Sequence, residues 1–116
     1  MYPLISNWFI APGKRAETIV ALKELAAKVA AEEPDTLVYL VHTPDHTKTN
    51  LPAPREGEVV FFEIYKDEAA FLAHLKGPIF TAFVKNHGHL FVNSNGSPYT
   101  TVETMIHHAG FIREAF

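Results

Sequence analysis

Hydrophobic and polar positions change period sharply near the middle of the chain. From Glu58 to Tyr65 (EVVFFEIY) every position except Glu58 and Glu63 is β-branched or aromatic. Such a run predicts a strand. At Lys66-Asp67 the pattern becomes helical, with Phe71, Leu72 and Leu75 on one side. Asp67 suits the N-cap, because its carboxylate can accept from orphan N–H groups of the first turn. Gly77 suits the end of that helix. Pro78 suits the first turn of another, which carries Ile79, Phe80, Phe83 and Val84.

The flanking sequence repeats these signals. Leu4 to Ile10 reads as a strand, with Leu4, Ser6, Trp8 and Ile10 on one face and Ile5, Asn7 and Phe9 on the other. Pro12-Gly13 ends it. Lys14 to Glu33 reads as a helix with Ile19, Leu22, Leu25, Ala26 and Val29 at helical spacing. Pro34 stops that helix by forcing its predecessor out of the helical region. Thr36 to Thr43 is a second strand. Pro44 to Gly57 is a polar loop of a length that is usually functional or mobile. Residues 88–98 are irregular, with Asn93, Asn95 and Gly96 as turn formers. Thr100 to His108 is a fourth strand, and 110–116 a short tail.

The order β-α-β-β-α-α-β predicts an α+β, ferredoxin-like fold: a four-stranded antiparallel sheet with helices on one face. A sheet covered on one face alternates apolar with polar residues. This one does not. Val60, Phe62 and Ile64 form one apolar face, and Val59, Phe61 and Tyr65 another. An exposed apolar sheet face marks an interaction surface. The cover expected is a second copy of the chain, in a two-fold dimer whose sheets pair into an α+β barrel.

Composition narrows the possibilities further. The 116 residues are 47% hydrophobic and 20% charged, with a net charge of −3 and no Cys. One domain spanning 1–116 is expected. Lys and Arg form no basic stripe, which argues against nucleic acid. Disulfides and thiolate metal sites are ruled out. No stretch approaches the ~20 apolar residues needed to span a bilayer. The first residues lack a basic region ahead of their apolar run, so no signal peptide is read there. A soluble, cytoplasmic protein is expected.

Three segments resemble the antibiotic biosynthesis monooxygenase superfamily, the dimeric α+β barrel proteins. They are Pro12-Gly13-Lys14, the turn Glu33-Pro34-Asp35-Thr36-Leu37-Val38-Tyr39, and Glu63-x-Tyr65-x-Asp67-Glu68-x-Ala70-Phe71-x-x-His74-Leu75. Asp35 stands where the family usually has Gly; Asp also tolerates turn conformations. The 44–57 loop is longer than typical for the family. The resemblance implies a pocket between sheet and helices. It also implies a cofactor-independent monooxygenase that oxidises a quinol or a polycyclic, anthrone-like phenol with O₂. The rival is a non-catalytic dimer that binds or senses a small aromatic ligand. Haem-degrading relatives place an iron-ligating His near the position of Val84. None stands there, which counts against haem chemistry because iron needs an axial donor.

Phenol oxidation by O₂ needs an apolar slot, a proton acceptor and one or two hydrogen-bond donors. Asn7 and Tyr65 are candidate donors, and Glu63 and His74 candidate proton acceptors. Phe9, Phe61, Phe71 and Phe80 are candidate walls. Each has a plainer role open to it. Asn7 suits a strand edge, Glu63 a structural hydrogen bond, His74 helix packing, and the phenylalanines a core. Trp8 lies across the strand from Asn7, which assigns it to the dimer interface. The chain has seven His. The pairs His42/His46, His87/His89 and His107/His108 match no metal motif, so no cofactor or metal is expected.

Overall fold

Each change of period becomes an element boundary in the computed structural model, which describes residues 1–113. The elements are β1 (Tyr2–Phe9), α1 (Arg15–Glu32), β2 (Thr36–His42), β3 (Glu58–Tyr65), α2 (Glu68–Lys76), α3 (Pro78–His87) and β4 (Tyr99–Thr104). The strands form one antiparallel sheet in the order β2-β3-β1-β4. This is the predicted ferredoxin-like α+β arrangement.

Local chemistry accounts for the junctions. Asp67 caps α2 by accepting from Ala70 N–H at 2.9 Å. Gly77 separates α2 from α3, with Pro78 opening the latter. A Cβ at position 77 would lie 2.8 Å from the Ala73 carbonyl oxygen, so only glycine fits between the two helices. Gly57 has φ +72° and gives its carbonyl to Ile10 N–H at 2.7 Å, ahead of β3.

The core lies between the sheet and the helices. From α1 it takes Thr18, Ala21, Leu22, Leu25 and Val29, with Ile19 and Ala26 half-buried at the stripe's edge. α2 buries Phe71 and His74, whereas Leu72 turns to solvent. Trp8 corrects its assignment to an interface. It is 3% exposed and packs against Phe61, Phe80, Phe83, Phe91 and Tyr99 at ring-centre distances of 4.8–6.1 Å. Register explains why: Trp8 pairs with Val59 and so shares the helix-covered face with Phe61, Glu63 and Tyr65.

Two segments depart from expectation. The stretch predicted as irregular opens with a single 3₁₀ turn (Gly88–Leu90), and Leu90 and Phe91 enter the core. β4 ends at Thr104, short of His108. Its partner runs out there: Thr104 pairs with Leu4, and Met105 N–H bonds to Pro3 near the start of β1. Part of the tail, 114–116, lies outside the described residues.

Among the described residues no helix packs on the sheet's other face. By register it carries Ile5, Asn7, Phe9, Val38, Leu40, Val60, Phe62 and Ile64. Phe62 is 37% exposed. The two-faced apolar pattern of β3 is therefore real; on its outer face Phe62 is exposed in the single chain, Val60 half-buried and Ile64 buried. Among the described residues no helix is long and apolar enough to cross a membrane.

Candidate functional site

Beneath α2 the sheet holds a cluster of polar groups in an aromatic setting. β3 places Glu63 and Tyr65 two residues apart, hence on one face. Tyr65 donates its hydroxyl to Glu63 Oε1 at 2.5 Å. β2 adds Tyr39, which pairs with Glu63 across the ladder. α2 contributes His74, whose ring centre lies 5.5 Å from both Tyr39 and Tyr65 and 5.1 Å from Phe80.

A second polar pair adjoins the first. Glu33 forms the C-cap of α1, where Pro34 ends the helix. Its Oε1 lies 2.6 Å from His74 Nδ1 and accepts from the Thr36 hydroxyl at 3.2 Å. The His74 side chain is 2% exposed and that of Glu33 18%. Among the described residues, no hydrogen bond joins the Glu33–His74 pair to the Glu63–Tyr65 pair.

His74 opens on a groove of about 620 Å³ between α1 and the α2–α3 pair. Small and apolar side chains make its walls, among them Ala21, Leu25, Ala73, Ile79, Ala82 and Phe83. Polar groups at the groove include Glu24, Lys28, Glu32, Glu33, Asp35, Asn86 and His87. The volume falls in the range that takes a small organic molecule. His74 makes one hydrogen bond, through Nδ1, among the described residues. No described side-chain nitrogen or oxygen is both fully buried and unpartnered. Nε2 has no hydrogen-bond partner among the described residues and is not fully buried.

Burial sets the electrostatics. Glu63 is 6% exposed. Desolvation pushes its carboxyl up to about 7, the Tyr65 hydrogen bond draws it partly back, and the charge of Glu33 adds to the rise. Tyr65 is driven far above the phenol range, first by burial and then by the Glu63 charge and hydrogen bond. Tyr39 is raised by burial and by the charges of Glu63 and Glu33. Both tyrosines thus remain hydroxyl donors at neutral pH. Glu63 exchanges its proton near neutrality, as suits a general acid or base.

The structure divides the expected site residues between two faces. Glu63, Tyr65 and His74 come together with Phe61, Phe71 and Phe80 on the helix-covered side. Of these, only His74 lines the groove, and Phe83 is the phenylalanine in its wall. Asn7 and Phe9 do not join them. Asn7 pairs with Val60, whereas Glu63 pairs with Leu4, so the two side chains leave opposite faces of the sheet. Asn7 is engaged elsewhere: Nδ2 donates to Glu58 Oε2 at 2.5 Å, and Oδ1 accepts from the Thr101 hydroxyl at 3.2 Å. Arg55 pairs with Glu58 at 2.7 Å and stacks over Phe9 at 4.9 Å. The expectation that Asn7 and Glu63 share a cavity is overturned by register.

Glu33 and Tyr39 belong to the buried cluster, although neither was singled out for chemistry by sequence. Their signal was present in the Glu33-Pro34-Asp35-Thr36-Leu37-Val38-Tyr39 turn. Among the described residues no three His, Asp or Glu side chains are grouped as a metal site requires.

The fold recurs in solved structures. A Caulobacter crescentus CB15 protein, named as a candidate antibiotic biosynthesis monooxygenase, is 26% identical with a TM-score of 0.71, covering 90% of this chain and 86% of its own. A protein named as an antibiotic biosynthesis monooxygenase is 25% identical with a TM-score of 0.71, covering 94% of this chain and 100% of its own. A Pseudomonas aeruginosa protein, 21% identical with a TM-score of 0.71 over 93% of this chain and 94% of its own, shares the fold. None of the curated proteins compared matches the chain. The family model described as antibiotic biosynthesis monooxygenase matches residues 1–86, from β1 into α3 and through every residue of the buried polar cluster. The chain belongs to the antibiotic biosynthesis monooxygenase family.

Proposed function

We propose that the chain is a cofactor-independent monooxygenase that takes a quinol or an anthrone-like polycyclic phenol into the α1–α2–α3 groove. His74 is the proposed proton acceptor. The observation that carries this reading is the place of His74 at the lining of the groove, with Nδ1 held by Glu33 and Nε2 left without a hydrogen-bond partner among the described residues. Family membership and the names of the structural relatives supply the monooxygenase part.

For an anthrone-like methylene, the chemistry balances without a further reductant. His74 removes one C–H proton and leaves a delocalised anion. That anion passes one electron to O₂, and the resulting radical pair combines to form a C–O bond. The peroxide takes back a proton. Its O–O bond breaks as the second C–H proton leaves, giving a carbonyl and water. Two C–H bonds supply the four electrons that reduce O₂. The protein's part is to hold the anion in an apolar slot, deliver a base and limit water.

A homodimer belongs to the same reading. Its support is the sheet face away from the helices, where Phe62 is exposed and Phe9, Leu40 and Val60 are half-buried. Obligate interfaces of this kind resemble a domain core cut in half.

Oxygen uptake with a panel of quinols and anthrone-like phenols tests the activity. Consumption of one O₂ per substrate supports it. Saturable binding of the same compounds without oxygen uptake favours the ligand-binding rival.

A further inference from the structure

We propose that Glu33 is a positioning residue that fixes the tautomer of His74, so that Nε2 carries the bare lone pair. This inference rests on the reading of His74 as the proton acceptor, but its test does not require turnover.

A neutral imidazole carries its proton on one nitrogen, and the hydrogen bond made by that nitrogen decides which. A carboxylate only accepts. Glu33 Oε1 stands 2.6 Å from Nδ1 and takes the Thr36 hydroxyl as a second donor. With an acceptor at that distance, Nδ1 must carry the hydrogen. Nε2 is then bare, and it is the ring nitrogen without a protein partner among the described residues. Free imidazole side chains in water populate both tautomers, so a base built on His74 needs this constraint.

Local sequence makes Glu33 suited to the task. Pro34 ends α1, which holds Glu33 at the helix terminus next to α2. Thr36, three residues on, bonds the same oxygen and limits rotation of the carboxylate. Thr36 N–H also bonds the Glu33 carbonyl at 3.0 Å, closing the turn. The other titratable groups around the ring are Tyr39 from β2 and Tyr65 from β3, the latter bonded to Glu63. The groove adds Lys28, Glu32, Asp35 and His87. Tyr39 and Tyr65 keep their hydroxyl hydrogens at neutral pH, and Tyr65 donates its own to Glu63. No other acceptor bonds to Nδ1 among the described residues.

Nitrogen-15 NMR of selectively labelled His resolves the question, because bare and protonated imidazole nitrogens differ widely in shift. The wild-type spectrum, taken where His74 is neutral and assigned with His74→Gln, should show Nδ1 protonated and Nε2 bare. In Glu33→Ala the two His74 signals should move toward each other or exchange places. Glu33→Asp, which keeps the charge but withdraws it by one methylene, should do the same in part. On a substrate that is turned over, Glu33→Ala should lower kcat about 10–100-fold, the usual cost of losing an outer-shell partner, with KM changed less. A wild-type spectrum with Nε2 protonated overturns the inference, as does an unchanged tautomer in folded Glu33→Ala. If that variant fails to fold, the wild-type spectrum alone decides. If no quinol is oxidised but the tautomers behave as stated, the functional reading falls and the positioning role stands.

Discussion

Tyr65 gives its hydroxyl hydrogen to Glu63 Oε1 at 2.5 Å, on one strand face beneath α2. The bond satisfies both groups, yet burial still dominates and holds the Glu63 carboxyl up at about 7 from an ordinary 4.5. The folded chain therefore keeps a proton that the unfolded chain releases. The stabilisation from this proton is complete below pH 4.5 and is lost as pH rises through about 7. The full effect is about 3 kcal/mol, at about 1.4 kcal/mol per pH unit. Thermal unfolding from pH 4.5 to 8 should show wild type losing stability relative to Glu63→Gln as pH rises. A constant difference between them across that range would show that Glu63 titrates normally.

Trp8 touches five aromatic rings at the centre of the core. Removing so large a buried ring costs about 3–5 kcal/mol, a large part of the stability of a domain this size. Trp8→Ala should lower the urea midpoint and weaken near-ultraviolet dichroism at every protein concentration. Loss of association alone, with the monomer as stable as before, would contradict this placement.

Phe62 is the counterpart on the face away from the helices. Phe62→Glu puts a charge where the proposed pairing buries an apolar ring. In sedimentation at micromolar concentration the wild type should run at twice the 13.0 kDa chain mass and the variant at the single-chain mass, still folded. A wild type that sediments as a folded monomer would remove the barrel from the account.

Much of this arrangement was legible in single segments. Strand parity put Glu63, Phe61 and Tyr65 on one face, and Asp67, Gly77 and Pro78 marked the ends of α2 and α3. What failed required information between segments. That Asn7 and Trp8 leave opposite faces of one strand is legible in their alternation. Nothing local says which of those faces meets Glu63; that follows from pairing Asn7 with Val60 and Trp8 with Val59, about fifty residues away. The link between Glu33 and His74 spans 41 residues and depends on how α1 lies against α2. The burial of Leu90 and Phe91 is not legible in sequence because a single 3₁₀ turn is too short to show a period.

The central claim is that O₂ supplies the oxygen for a substrate deprotonated at His74 in the groove. Reaction of an anthrone-like phenol under ¹⁸O₂, with mass analysis of product and water, tests it most directly. The account predicts one labelled atom in the new carbonyl and the other in water. It also predicts a rate about 10²–10⁴-fold lower in His74→Gln, the usual cost of losing a general base. An unlabelled product, or labelled product formed at an undiminished rate by folded His74→Gln, would contradict it.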